Sequence, residues 1–164
     1  MALKAVLDAN GFIGAVTPGE RDNRALRKIV AARDAGKVAI GVSVHTLHEL
    51  RNPNALALAE TATVLPHFLI GTWADQVAAW GQVTGTWEDQ RRADEIFQDL
   101  QTLAKSGADI RDLGAYVDAL HGVADVFVTS DLDVAGTGPA SRIAKKYGLR
   151  ILTPRRLADE LGMV

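Results

Sequence analysis

Ala5-Val6-Leu7-Asp8-Ala9-Asn10-Gly11 decides how the fold is read. Three apolar residues are too few for periodicity to separate strand from helix. The residues behind them settle it: an apolar run closed by the turn formers Asp, Asn and Gly reads as a buried strand. The same grammar recurs at Val38 to Val42, at Val126-Phe127-Val128-Thr129 and at Arg150-Ile151-Leu152. Between these runs the spacing turns helical. Asp22-Asn23 can cap a helix reaching Ala35, with Leu26, Ile29 and Val30 as its apolar stripe and Gly36 as its stop. Ser43 offers a cap for a helix through Leu50, and Pro53 interrupts that helix or starts the next. Ala55 to Leu65 reads as helical, as does Trp73 to Trp80; His67 to Gly71 stays open between strand and loop. Ile96, Leu100 and Leu103 mark a helix over Glu88 to Lys105. Helices are also expected over Asp109 to Val123, over Ser141 to Tyr147 with Gly148 as stop, and after Thr153-Pro154. Strands alternating with helices give βαβ units, a parallel sheet and an α/β fold with helices on both faces.

The chain has 164 residues and no cysteine. That length suits one domain able to bury a real core. Without cysteine, disulfides, thiolate nucleophiles and iron–sulfur sites are excluded. Apolar residues make up 48% and charged residues 23%, a globular rather than a disordered composition. Eighteen basic against twenty acidic residues leave a net charge of −2, so any nucleic-acid contact must come from local patches. No apolar run approaches the about 18 residues needed to span a bilayer, and Met1 to Lys4 lead straight into the first strand without a signal-peptide pattern. A soluble, cytoplasmic protein with no membrane partner is the expectation.

In open parallel sheets, ligands bind outside the carboxyl ends of strands, where strand order reverses. Asp8 follows the first strand and Asp131 follows Val126 to Thr129. On neighbouring strands, such carboxylates converge and repel unless a cation neutralises them. An all-oxygen set of this kind suits Mg²⁺ or Mn²⁺. Each acid also has a plainer reading. Asp8-Ala9-Asn10-Gly11 is good turn chemistry, Asp112 can cap a helix together with Asp109, and Glu49 can be a solvated helix residue.

The joint order of these segments is more specific than any one of them. Val6-Leu7-Asp8-Ala9-Asn10 opens the chain. Ser43-Val44-His45-Thr46-Leu47-His48-Glu49-Leu50 comes after the second strand. Arg111-Asp112 begins a helix ending near Ala124-Asp125, and Val126-Phe127-Val128-Thr129-Ser130-Asp131-Leu132-Asp133 comes after it. This set resembles a PIN domain, the fold of bacterial toxin–antitoxin ribonucleases and of other metal-dependent nucleases. The resemblance runs over the two ends of the chain and is poor between Asn52 and Ile96. It implies a three-layer α/β/α domain over residues 1–164, with a PIN-like parallel sheet and a helical insert around residues 52–96. It implies an acidic cluster of Asp8, Glu49, Asp112 and Asp131 holding one or two divalent ions, supported by Asn10, Thr129 and Asp133. The implied activity is endoribonuclease hydrolysis of RNA phosphodiesters with Mg²⁺ or Mn²⁺, leaving a 3′-hydroxyl and a 5′-phosphate. A cognate antitoxin and a homodimer are the implied partners. Pro53 after Glu49, and a middle segment carrying Trp73, Trp80 and Trp87, depart from a minimal toxin.

Other features weigh less. The three tryptophans recur every seven residues, which fits packing within a helical insert. No His-Glu-x-x-His arrangement occurs, so a zinc hydrolase is not expected. Arg21, Arg24, Arg27 and Lys28, on or just before the first helix, are the cationic cluster weighed for RNA phosphates; Arg91-Arg92, Lys145-Lys146 and Arg155-Arg156 are smaller patches, and most such basic pairs are solvated faces. A phospho-receiver needs paired acids after the first strand and a late strand-end lysine, neither of which is found, and a phosphatase of the haloacid-dehalogenase type needs an aspartate where Asn10 stands. A catalytically inactive binding module is the remaining alternative, and the four acids argue against it.

Overall fold

A computed structural model describes residues 2–65, 91, 95, 98, 99, 114–121, 124–130 and 138–162. In chain order these form β1 (Leu3–Leu7), α1 (Ala9–Val16), α2 (Asn23–Asp34), β2 (Val38–Val42), α3 (Val44–Glu49), α4 (Pro53–Glu60) and β3 (Thr63–Val64). Then come α5 (Gly114–His121), β4 (Val126–Val128), α6 (Gly138–Lys146), β5 (Arg150–Leu152) and α7 (Pro154–Glu160). Expectations for His67, Trp73 to Trp80 and Trp87 lie outside the described residues.

The strands form one five-stranded sheet in the order β3-β2-β1-β4-β5, with every pairing parallel. Side chains alternate across it, as strand geometry requires. Ala5 and Leu7 of β1, Val126 and Val128 of β4 and Leu152 of β5 join one core with Phe12 of α1, Leu26 and Ile29 of α2, Ala55 of α4 and Leu157 of α7. Val6 and Phe127 point the other way, into a second core with Ala115, Tyr116, Ala119 and Leu120 of α5 and Ala144 of α6. Both faces are covered, so the domain has three layers. This explains why the strands read as unbroken apolar runs rather than alternating ones.

Local chemistry sets the element ends. Ser43 caps α3 by accepting from the His45 N–H, Asn52 caps α4 ahead of Pro53, and Thr153 caps α7 ahead of Pro154. Gly36 and Gly148 adopt positive φ of 75° and 74° where α2 and α6 stop, a conformation that costs glycine little.

Three sequence expectations are corrected. The helix expected over Ala55 to Leu65 ends at Glu60, and Thr63–Val64 adds a short strand beside β2. Pairing with Gly41 and Val42 outweighs helix propensity there. Asp8-Ala9-Asn10-Gly11 is not a free turn but the capped start of helix α1. Helix α6 starts at Gly138 rather than Ser141. Among the described residues no helix is long and apolar enough to cross a membrane.

Candidate active site

Chain order and sheet order diverge at β1. From β1 the chain steps outward to β2 and β3, then returns to lay β4 on the opposite side of β1. The crevice between the carboxyl ends of β1 and β4 is therefore a topological switch point, the place where open α/β sheets bind ligands. Leu7 pairs with Val128, so the residues next in line are Asp8 and Thr129.

Asp8 is held at both oxygens. Its backbone is extended, with φ −80° and ψ 177°, and its Oδ1 accepts from the Gly11 N–H at 2.8 Å as the cap of α1. Its Oδ2 accepts from the Thr129 hydroxyl at 2.8 Å, a bond spanning 121 residues of sequence. The negative carboxylate also faces the positive end of the α1 dipole. A Cβ at position 11 would lie 3.2 Å from the Leu7 Cβ and 3.4 Å from the Asp8 Oδ1, so glycine suits the close turn from strand to helix. Thr129 is buried and Asp8 half-buried, so the hydroxyl is fixed and the carboxylate reaches the surface.

Next to this pair lies a cleft of about 430 Å³ lined by Asn10, Ile13, Glu20, Arg21, Asp22 and Ser130. Asp22 sits at the cap position of α2 but makes no side-chain cap bond. Its carboxylate instead accepts from the Ser130 hydroxyl at 2.7 Å and lies 3.6 Å from the Arg155 Nε. Asn23 donates to the Gly14 and Ala15 carbonyls at 2.7 and 3.2 Å, closing the end of α1. The ends of α1 and β4 and the starts of α2 and α7 are thus tied together at the strand-end edge. Asp22, Ser130 and Arg155 do not stand out as site residues in the sequence. Asp22 and Ser130 are 108 residues apart, and no local pattern joins them.

The structure brings Asp8, Asn10 and Thr129 to one edge. Asn10 is exposed in the first turn of α1. Glu49 is the last residue of α3, exposed to solvent, on a helix that starts at the same edge. Asp112, Asp131 and Asp133 lie outside the described residues. Arg21 lines the cleft, Arg24 and Arg27 are exposed along α2, and Lys28 is half-buried.

A hard divalent cation asks for several oxygen ligands. The donor types here suit one, but among the described residues no three His, Asp or Glu side chains gather closely enough to hold it. Those residues supply a single strand-end carboxylate, Asp8. Hydrogen bonds from Lys146 and then Tyr147 hold the Asp99 carboxyl below its ordinary value, and burial pushes the Tyr116 hydroxyl well above its own.

No protein-family model matches this chain, and a search of curated proteins finds no match.

Proposed function

We propose that this protein is a divalent-metal-dependent endoribonuclease of the PIN-like kind, the toxin half of a toxin–antitoxin pair acting in the cytoplasm. One observation carries the reading: a carboxylate at the end of the central strand, in the switch-point crevice, fixed at one oxygen by a helix N-terminus and at the other by a buried hydroxyl. Such rigidity is what a ligand or a proton-handling group needs, because misplacement costs rate steeply. The resemblance over the acidic positions supports the rest. Asp112 and Asp131 would complete the carboxylate set with Asp8, and Glu49 would join from α3. A cation bound by them supplies charge stabilisation at the phosphate and offsets repulsion among the acids. Asp8 orients that set, Thr129 orients Asp8, and the polar cleft beside them receives the nucleotide chain. On this reading an antitoxin restrains the enzyme and a homodimer is its working form.

The test is cleavage of RNA with Mg²⁺, with Mn²⁺ and with chelator. Asp8→Asn keeps the side chain's shape and its ability to cap α1, but removes the charge. Cleavage should fall about a hundredfold or more, equivalent to roughly 2.7 kcal/mol of transition-state stabilisation. Asp34→Asn, at the far end of α2, should stay within about threefold of wild type, or roughly 0.6 kcal/mol. Full activity of Asp8→Asn on an RNA that wild type cuts only with metal would sink the proposal.

A further inference from the structure

Packing joins two cationic groups that are far apart in sequence. α2 lies against α7, with Leu26 and Ile29 sharing a core with Leu157 and Ala158. The Arg155–Asp22 contact shows that the two helix starts adjoin. α7 begins directly after β5, two strands from β1 in the sheet, or about 10 Å at the usual strand spacing. Along the outer edge of β5 runs a cleft of about 390 Å³, whose charged lining is Lys145, Arg150 and Arg156. Among the described residues no carboxylate lines it. Lys145 and Arg156 are exposed; Arg150 is partly neutralised by Glu160 at 2.6 Å.

We infer that this β5-edge groove is a track for the phosphate backbone of single-stranded RNA, leading toward the strand-end crevice at Asp8. The inference rests on the ribonuclease reading for its choice of ligand. The physical grounds are charge and place. A chain with a net charge of −2 has here a concave strip whose charged groups, among the described residues, are all cations. Phosphate contacts of this kind position a nucleic acid without reading its sequence. The strip runs up to the first turn of α7, about two strand spacings from β1, so a strand lying in it can continue toward Asp8. Arg155, next to Arg156 in the chain, reaches Asp22 at the start of α2, so the two helix starts that carry the cationic groups adjoin.

The test measures anisotropy of a labelled single-stranded RNA over a salt series, with EDTA present so that nothing is cut. Lys145→Ala combined with Arg156→Ala should weaken binding about tenfold or more at low salt. It should also lower the slope of log affinity against log salt by about 1.4, at about 0.7 per phosphate contact. Glu160→Gln releases Arg150 and should tighten binding several-fold, a gain that a misfolded variant could not mimic. Lys37→Ala, just before β2 at the opposite end of the sheet, should bind as wild type does. The inference falls if the double variant keeps wild-type affinity and slope, if Lys37→Ala loses as much, or if wild type binds no RNA. A groove that serves a protein partner would give the first of these results. The two proposals separate cleanly. Wild type that binds through the groove but never cuts refutes the nuclease reading alone. Wild type that cuts while the double variant binds and cuts normally refutes the groove alone.

Discussion

Thr129→Val tests how the candidate carboxylate is held. Valine has nearly the shape of threonine, so the buried position at the end of β4 stays filled, and the change removes one hydroxyl. The loss is the 2.8 Å bond donated to the Asp8 Oδ2. Hydrogen bonds to charged groups contribute about 1.5–3 kcal/mol. Asp8 is only half-buried, so water can take part of the donor's place, which puts the expected loss near the low end, at about 1.5 kcal/mol. For a chain of this length that is a drop of about 3–6 °C in melting temperature. Asp8→Ala should cost more, because it also removes the cap bond to the Gly11 N–H, worth about 1 kcal/mol. The double variant should then cost about 1.5 kcal/mol less than the two single losses added together, since they share one bond. Urea denaturation monitored by circular dichroism measures all four proteins. A coupling below about 0.5 kcal/mol, the usual scatter for independent sites, would refute the claim that Thr129 fixes Asp8.

Helix packing and an ion pair give two further expected outcomes. A Cβ on Gly14 would sit 2.6 Å from the Leu26 Cδ1, between α1 and α2. Gly14→Ala should therefore lose about 1 kcal/mol net, the overpacking cost exceeding the helix-propensity gain; a variant more stable than wild type in urea would contradict this. Asp99 has its folded pKa lowered, first by the hydrogen bond from Lys146 and next by that from Tyr147. Its contribution to stability is present above the ordinary carboxyl value of 3.8 and is lost as pH falls through the lower folded value. Asp99→Asn should lower the urea midpoint slightly at neutral pH and leave the midpoint in strong acid unchanged; equal losses at both would show that the ion pair is not the cause. The effect is small because Lys146 is largely exposed.

β1, β2 and β4 were legible because being buried on both faces leaves a mark on each run by itself. Val38–Val42 and Arg150–Leu152 have in the structure the bounds that their residues suggest. Caps were legible for a similar reason: Ser43 and Thr153 act on N–H groups two or three residues away. α1 escaped notice because Asp, Asn and Gly start helices and turns with the same hydrogen bonds, and the core contacts of Phe12 and Ala15 select the helix. β3 escaped because two residues carry no period, and its pairing partner lies on β2.

The sequence by itself determined the α/β class, the starts and stops of α2 and α3, the stop of α6, the start of α7, and the placing of Asp8 at a strand end. These depend on apolar periodicity and on bonds between near neighbours. The order β3-β2-β1-β4-β5 was decided only in the tertiary structure, and with it everything that makes the edge a site. The Asp8–Thr129 bond, the Asp22–Ser130–Arg155 contacts and the meeting of α2 with α7 join parts of the chain more than 100 positions apart. Residues so distant leave no shared local pattern. They meet because both faces of the sheet must be buried at once, and that is a property of the whole packed chain.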